Sequence, residues 1–188
     1  CTYNDYVVFH EVSSARRILK GIESANIFWF EEPLSPEDVD GYRELKNLTN
    51  IYIAAGECEF TKIGFREWIS KRAVDILQPD ICSAGGITEC RKILALAQAW
   101  HMNLIPHVWG SGIGLAASRQ FLAAIPPSPL ALKPIEPMLE YDQSLHPFRQ
   151  ELIYNAIGVE SNGMVKIPAS PGIGVEINRE VLERYEVK

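Results

Sequence analysis

The feature that most constrains this chain is a repeat. Short apolar, β-prone runs return at a nearly fixed interval, with helix-patterned segments between them. Ile27-Phe28-Trp29-Phe30, Ile51-Tyr52-Ile53-Ala54, Val74-Asp75-Ile76-Leu77 and Asn103-Leu104-Ile105-Pro106 start 24, 23 and 29 residues apart. That interval holds one strand, one helix and two loops. Val12, Ala15, Ile18, Leu19 and Ile22 share a helical face, as do Ile87, Cys90, Leu94 and Ala97. Ser35-Pro36-Glu37-Asp38 reads as a helix start: a Ser cap, Pro at the first helical position and acids in the first turn. A further helix is expected over Leu115–Ala124 and a closing one over Glu180–Tyr185, with a short strand near Ile135–Leu139. Asn162-Gly163 between apolar runs signals a hairpin.

Right-handed crossovers between such units make the strands parallel. An open doubly wound sheet and a (β/α) barrel both satisfy the pattern. A chargeable residue follows every strand: Glu31, Glu57, Asp80, His107 and then Glu140. Barrels draw their chemistry from the ends of several strands, whereas open sheets concentrate it at one switch point. The expectation is therefore an α/β fold, the C-terminal portion of a (β/α) barrel over residues 1–145, followed by a tail over 146–188.

Charge and composition exclude other classes. Lys and Arg number 18 against 24 Asp and Glu, a net charge of −6, so neither nucleic acid nor an anionic membrane finds a positive footprint. No apolar run is long enough to span a bilayer, and no signal peptide is visible. The four cysteines, Cys1, Cys58, Cys82 and Cys90, form no C-x-x-C pair; reduced thiols and a cytoplasmic location are expected.

On residue chemistry, Glu31 and Glu57 occupy matched strand ends. Two carboxylates so placed suit Mg²⁺, a hard ion that prefers oxygen ligands, although a single acid at a loop start is usually just solvated. Asp80 and His107 occupy the next two ends. A carboxylate beside an imidazole makes a general base; a structural His with an unrelated Asp fits equally well on this ground alone. His10 (early in a helix), His101 and His146 read as surface or packing residues, and Trp29 as core. Trp109 reads as a pocket wall or a packed loop residue. Gly110-Ser111-Gly112-Ile113-Gly114 reads as a βα loop, being no nucleotide fingerprint.

Phe30-Glu31-Glu32-Pro33, Gly56-Glu57, Gln78-Pro79-Asp80 with Gly85-Gly86, Pro106-His107, Glu140-Tyr141-Asp142 and Pro171-Gly172-Ile173-Gly174-Val175-Glu176-Ile177 resemble, in this order, the mandelate racemase branch of the enolase superfamily. The resemblance covers nearly the whole chain. It implies that Glu31 and Glu57 are the second and third Mg²⁺ ligands and that His107 and Asp80 form the acid/base dyad. Glu140 would hydrogen-bond the substrate carboxylate as it becomes enolic, and Glu32 would play a supporting part. It implies removal of a proton α to a carboxylate through an enediolate, with dehydration of an acid sugar the leading reading and racemisation, epimerisation or cycloisomerisation the alternatives. The substrate would be a small carboxylate, and the intact enzyme a homo-oligomer.

The chain also departs from the family pattern. The capping domain, the first barrel strands with their Lys-x-Lys motif, and the first metal ligand have no counterpart here. The chain opens on Cys1 rather than Met, so it is expected to be the C-terminal half of such an enzyme and inactive alone. Asp5 lies beyond the expected strand end and reads as turn chemistry rather than as a replacement ligand.

Overall fold

The apolar spacing noted in the first segment produces α1 (Val12–Ile22), which buries Ala15 and Leu19. The computed structural model describes residues 10–125 and 137–187, and the chain divides into two units, Cys1–Leu104 and Ile105–Lys188.

In the first unit helix and strand alternate. After α1 come β1 (Trp29–Glu31), α2 (Val39–Lys46), β2 (Tyr52–Ala55), α3 (Thr61–Lys71), β3 (Ile76–Leu77), α4 (Gly86–Ala99) and β4 (Asn103–Leu104). The strands form one sheet in the order β1-β2-β3-β4. Every pairing is parallel, with Glu31 opposite Ala54, Ala55 opposite Leu77, and Leu77 opposite Leu104. Each of the four expected strands is present: β1 and β2 end one residue beyond their apolar runs, and β3 and β4 are shortened to two residues.

The helices bury Tyr42 and Leu45 from α2, Phe65, Trp68 and Ile69 from α3, and Ile93 from α4, all essentially without exposure, together with Ile53, Ile76 and Leu77 of the sheet. Each such large side chain contributes roughly 1.5–3 kcal/mol on burial. The Tyr42 and Trp68 rings meet at 4.8 Å.

The N-terminal edge of the sheet is closed by charge. Asp75 Oδ2 accepts from the Ile53 N–H at 2.9 Å, and Lys46 Nζ lies 3.2 Å from Asp75 Oδ1. The same ammonium donates to the Val74 carbonyl at 3.0 Å. The ladder thus begins with its polar groups satisfied.

In the first unit two readings near helix starts differ from expectation. Ser35 does not cap α2. Residues Ser35–Asp38 make a turn closed by the Asp38 N–H to the Ser35 carbonyl at 2.9 Å, and Asp38 is the cap, accepting from the Gly41 N–H at 2.9 Å. His10 is not helical: it forms a parallel bridge with Leu34.

The second unit holds α5 (Gly112–Ala123), α6 (Pro147–Gln150) and α7 (Arg179–Arg184). Its core is Val108, Leu115, Ala116, Ile153 and Ile157, with Leu139, Tyr141, Ile173 and Ile177 packed against it. The expected hairpin is present: Val159 bridges Val165 in antiparallel fashion, and the Glu160 N–H reaches the Met164 carbonyl at 2.8 Å. Of the strand expected near Ile135–Leu139, residues 137–139 are irregular; Ile135 and Glu136 lie outside the described residues, as do Cys1 and Asp5. Among the described residues no helix is long and apolar enough to cross a membrane.

One buried bond ties this packing to the loop after β1. The Tyr42 hydroxyl donates to the Leu34 carbonyl at 2.6 Å, and both residues have no exposure. In the full chain Tyr42→Phe leaves that carbonyl without its donor. The expected cost is about 1–3 kcal/mol, seen as a lower urea midpoint with an unchanged slope. An unchanged midpoint would remove the bond from the account of stability.

Candidate active site

Glu31 closes β1. Trp29, two residues earlier, shares its strand face, and Trp29 Nε1 donates to Glu31 Oε2 at 2.9 Å. Trp29 is therefore half-buried beside a carboxylate, not a core residue as its apolar run suggested. Glu32 turns out of the strand at φ +38°, while its N–H still bonds the Ala54 carbonyl at 3.0 Å. Its Oε1 accepts from the Gly56 N–H at 3.4 Å, and the Cys58 thiol lies 3.8 Å from its Oε2.

Glu57 follows Gly56, whose backbone adopts φ +135°. A Cβ at position 56 would meet the Phe65 ring at 2.9 Å and the Gln78 amide nitrogen at 3.1 Å. Glycine alone combines that conformation with that approach, and the resulting turn delivers Glu57 beside Glu32 and Cys58. Ligand atoms of these three residues all lie within 4.8 Å of one another. The structure thus groups Glu57 with Glu32, while the Glu31 carboxylate is held by Trp29. Alternation along a strand argues against Glu32, but Glu32 has already left the strand, and its positive φ removes that constraint.

The donors fit Mg²⁺ in part. Two oxygens on one such ion lie about 3–4 Å apart, given bonds near 2.1 Å, and carboxylates at this spacing reach that with small rotamer changes. A thiol is a soft donor and does not suit the ion. Cys58 is instead a witness to the local field. Burial, then the charges of Glu32 and Glu57, push its thiol up to about 11, so it is protonated at neutral pH and a poor nucleophile.

β3 leads through Gln78, which is 1% exposed, and Pro79 to Asp80. Asp80 Oδ1 accepts from the Cys82 N–H at 2.6 Å and the Ser83 N–H at 3.2 Å. The Asp80 carbonyl takes the Ala84 N–H at 2.7 Å. This side-chain-to-backbone turn fixes one carboxylate oxygen and starts the passage to α4.

In the second unit His107 is half-buried after Pro106. The next residue, Val108, donates its N–H to Glu140 Oε2 at 2.6 Å. His107 and Glu140, 33 positions apart in the sequence, are joined by that bond between neighbours. The glycine run behind His107 is not wholly a loop. Ser111 caps α5, accepting from the Gly114 N–H at 3.3 Å, so Gly112 and Gly114 belong to the first helical turn. Trp109 is 63% exposed. The His146 ring stands between Trp109 and Phe148, at 6.3 and 5.6 Å, a packing role as expected. His101 ends a helix at φ +55°.

With this arrangement in view, residues 5–181 match the family model described as enolase C-terminal domain-like. The chain belongs to this family. As a member of it, the chain carries the parallel α/β fold of the C-terminal barrel portion of the enolase superfamily. It is 43% identical over 161 residues to the D-galactarolactone cycloisomerase of Agrobacterium fabrum, a match covering 86% of this chain and 42% of that one. It is 34% identical over 175 residues to the D-xylonate dehydratase of Haloferax volcanii, covering 93% and 40%. The crystal structure of the 3,6-anhydro-D-galactonate cycloisomerase from Zobellia galactanivorans superposes with a TM-score of 0.86 at 40% identity, over 95% of this chain and 48% of that one. The chain therefore spans less than half the length of each of these relatives.

The field at Cys58 makes the carboxylate cluster testable without substrate. Glu32→Gln removes a charge that raises the thiol's proton affinity. Cys58 in this variant is expected to react several-fold faster with iodoacetamide near pH 8, because its thiolate fraction rises. An unchanged rate would mean that Glu32 does not face the thiol in solution.

Proposed function

We propose that this chain supplies the general base and part of the metal site of an enzyme that removes the proton α to the carboxylate of a sugar acid and then expels the β-oxygen. The observation that carries this reading is the division of its relatives. Sugar-acid dehydratases and cycloisomerases differ in the fate of the leaving oxygen, and both outcomes follow from one α-proton abstraction. The motif order from Glu31 to Glu140 supports the assignment of roles.

His107 takes the α-proton. Asp80, its carboxylate oriented by the turn to Cys82 and Ser83, is assigned on the motif order as the dyad's acid, the part that would fix an imidazole's tautomer and raise its basicity. Glu140, anchored through one oxygen to the Val108 N–H, would hydrogen-bond the substrate carboxylate through its other oxygen, when that oxygen carries a proton, as negative charge gathers there. Glu31 and Glu57 would hold Mg²⁺, with Glu32 beside Glu57 in a supporting part. The chemistry such an ion would supply when bound is neutralisation of part of the developing enediolate charge. His107, now an imidazolium, returns its proton to the β-oxygen as the carbon–oxygen bond breaks. A β-hydroxyl leaves as water, and the enol becomes a 2-keto-3-deoxy acid.

Dehydration is the leading reading. Cycloisomerisation is the second, favoured by the 43% and 40% identities to enzymes of that name. If the β-oxygen belongs to a ring, the same elimination opens the ring and the product keeps the substrate's composition. Mass spectrometry of products from a panel of sugar acids and lactones separates the two. A product lighter by one water marks dehydration, an isomer marks cycloisomerisation, and no product with the intact enzyme would count against both.

Two substitutions in the intact enzyme test the roles. His107→Asn is expected to abolish turnover and leave Mg²⁺ affinity, read by calorimetry, unchanged; retained turnover would remove His107 from the mechanism. Glu31→Gln and Glu57→Gln are each expected to weaken Mg²⁺ binding at least about tenfold, as loss of a metal contact does, and Glu32→Gln to weaken it less. The reverse order would make Glu32 the ligand in place of Glu31.

A further inference from the structure

We infer that Arg149 is a positioning residue that locks the His107 loop and the Glu140 segment into one rigid unit; the inference rests on the roles proposed for those two residues. Arg149 lies on α6, and none of the sequence motifs includes it. Its Nε and Nη2 donate to the Gly110 carbonyl at 3.2 and 3.1 Å. Its Nη1 donates to the Asp142 carbonyl at 2.8 Å and forms an ion pair with Asp142 Oδ2. Gly110 is three residues after His107, and Asp142 is two residues after Glu140. One planar guanidinium therefore bridges the two segments that carry the acid/base and the enol-stabilising groups, and the Val108–Glu140 bond at 2.6 Å closes the same loop from the other side.

The bridge replaces secondary structure. Residues 105–109 and 137–143 have no helix or strand assignment, so no ladder fixes them. Side-chain bonds fasten them, among them Glu140 to the Val108 N–H, the Tyr141 hydroxyl to the Ile157 carbonyl, and Asp142 to Arg149 and Ser144. The platform beneath is firm. A Cβ at Gly112 would meet the Arg149 carbonyl at 2.9 Å and Ile153 Cδ1 at 2.9 Å, so the start of α5 rests directly on α6. The Arg149 side chain is only 10% exposed.

Chemistry favours arginine here. The guanidinium offers five donors in a fixed fork, enough to reach two carbonyls and a carboxylate in one geometry, and stays charged at every working pH. Lysine has three donors on a flexible stem and cannot hold both nitrogens on Gly110 while bonding Asp142. Asp142 is prepared for the pairing. Burial pushes its carboxyl up, but the Ser144 amide and hydroxyl and then Arg149 outweigh that and hold it below the usual carboxylate range.

Arg149 touches no reacting atom in this scheme. It acts by holding His107 and Glu140 where the α-carbon and the carboxylate must lie, and a misplacement of about 1 Å costs on the order of 100-fold in rate. The test uses the full-length enzyme with Arg149→Gln and Arg149→Lys, and two readouts. The first is steady-state kinetics on whichever sugar acid or lactone the unmodified enzyme turns over. The second is the nitrogen-15 NMR signature of the His107 imidazole, assigned by its loss in His107→Asn. The expected result for Arg149→Gln is a kcat lowered on the order of 100-fold with KM changed less than about threefold, and a displaced or broadened His107 signal. Non-denaturing guanidinium chloride is expected to restore part of kcat, and sodium chloride is not. Arg149→Lys is expected to recover little. A folded Arg149→Gln with kcat and the His107 signal both unchanged would overturn the inference. If Arg149→Gln does not fold, Arg149→Lys decides: a moved His107 signal supports the bridge, and an unmoved one overturns it. Should the unmodified enzyme turn over nothing on the panel, the function reading fails on its own, and the His107 signal alone judges the bridge.

Discussion

Parallel strands paired in one sheet all end on the same edge of it, and the first unit follows from that constraint. In β1, β2 and β3 the ladder ends where the chain must turn into a helix. The residues at those turns, Glu31-Glu32, Glu57 and Asp80, are carried to one edge without any interaction between them being required. The apolar runs do the folding, and the acids arrive as a consequence. This decoupling lets a chain place like charges near one another although their mutual repulsion opposes it.

The two edges of the sheet use charge differently. At the N-terminal edge, Asp75 meets Lys46 and the Ile53 amide, so a carboxylate is matched by a cation and a donor. At the C-terminal edge, Glu32 and Glu57 stand close together beside Cys58, and burial and then their charges push its thiol up. The first arrangement favours the folded state as it stands. The second suits a cation supplied from outside. Tyr42 links the two concerns, because its ring packs on Trp68 in the core while its hydroxyl fixes the Leu34 carbonyl just beyond the Glu31-Glu32-Pro33 turn.

Much of this was legible in the residues, for identifiable reasons. Strands and helices follow from local apolar period, which four repeats reinforce, and α1 and the Asn162-Gly163 hairpin stand where their spacing put them. Helix starts were less legible, because Ser35 and Asp38 are both competent caps and the choice depends on which turn the preceding strand allows. Ser111 starts α5 ahead of two glycines that read as loop. The nearness of Glu32 to Glu57 was hidden by a backbone angle that alternation does not anticipate. Trp29 looked like core because indole is apolar, yet its N–H found the carboxylate two residues on. Arg149 was invisible because its partners, Gly110 and Asp142, are far along the chain or joined through backbone atoms, which carry no residue identity.

That last feature bears on how the second unit can vary between relatives. The stretch around His107, the stretch around Glu140 and α6 form a single inheritable module, held by atoms that come from all three. Exchanging one stretch alone between related enzymes would bring in a backbone carbonyl at a slightly different height beneath an unchanged guanidinium fork. Chimeras with a crossover between positions 110 and 149 should therefore be systematically poorer than those cut on either side, whatever substrate the parents prefer.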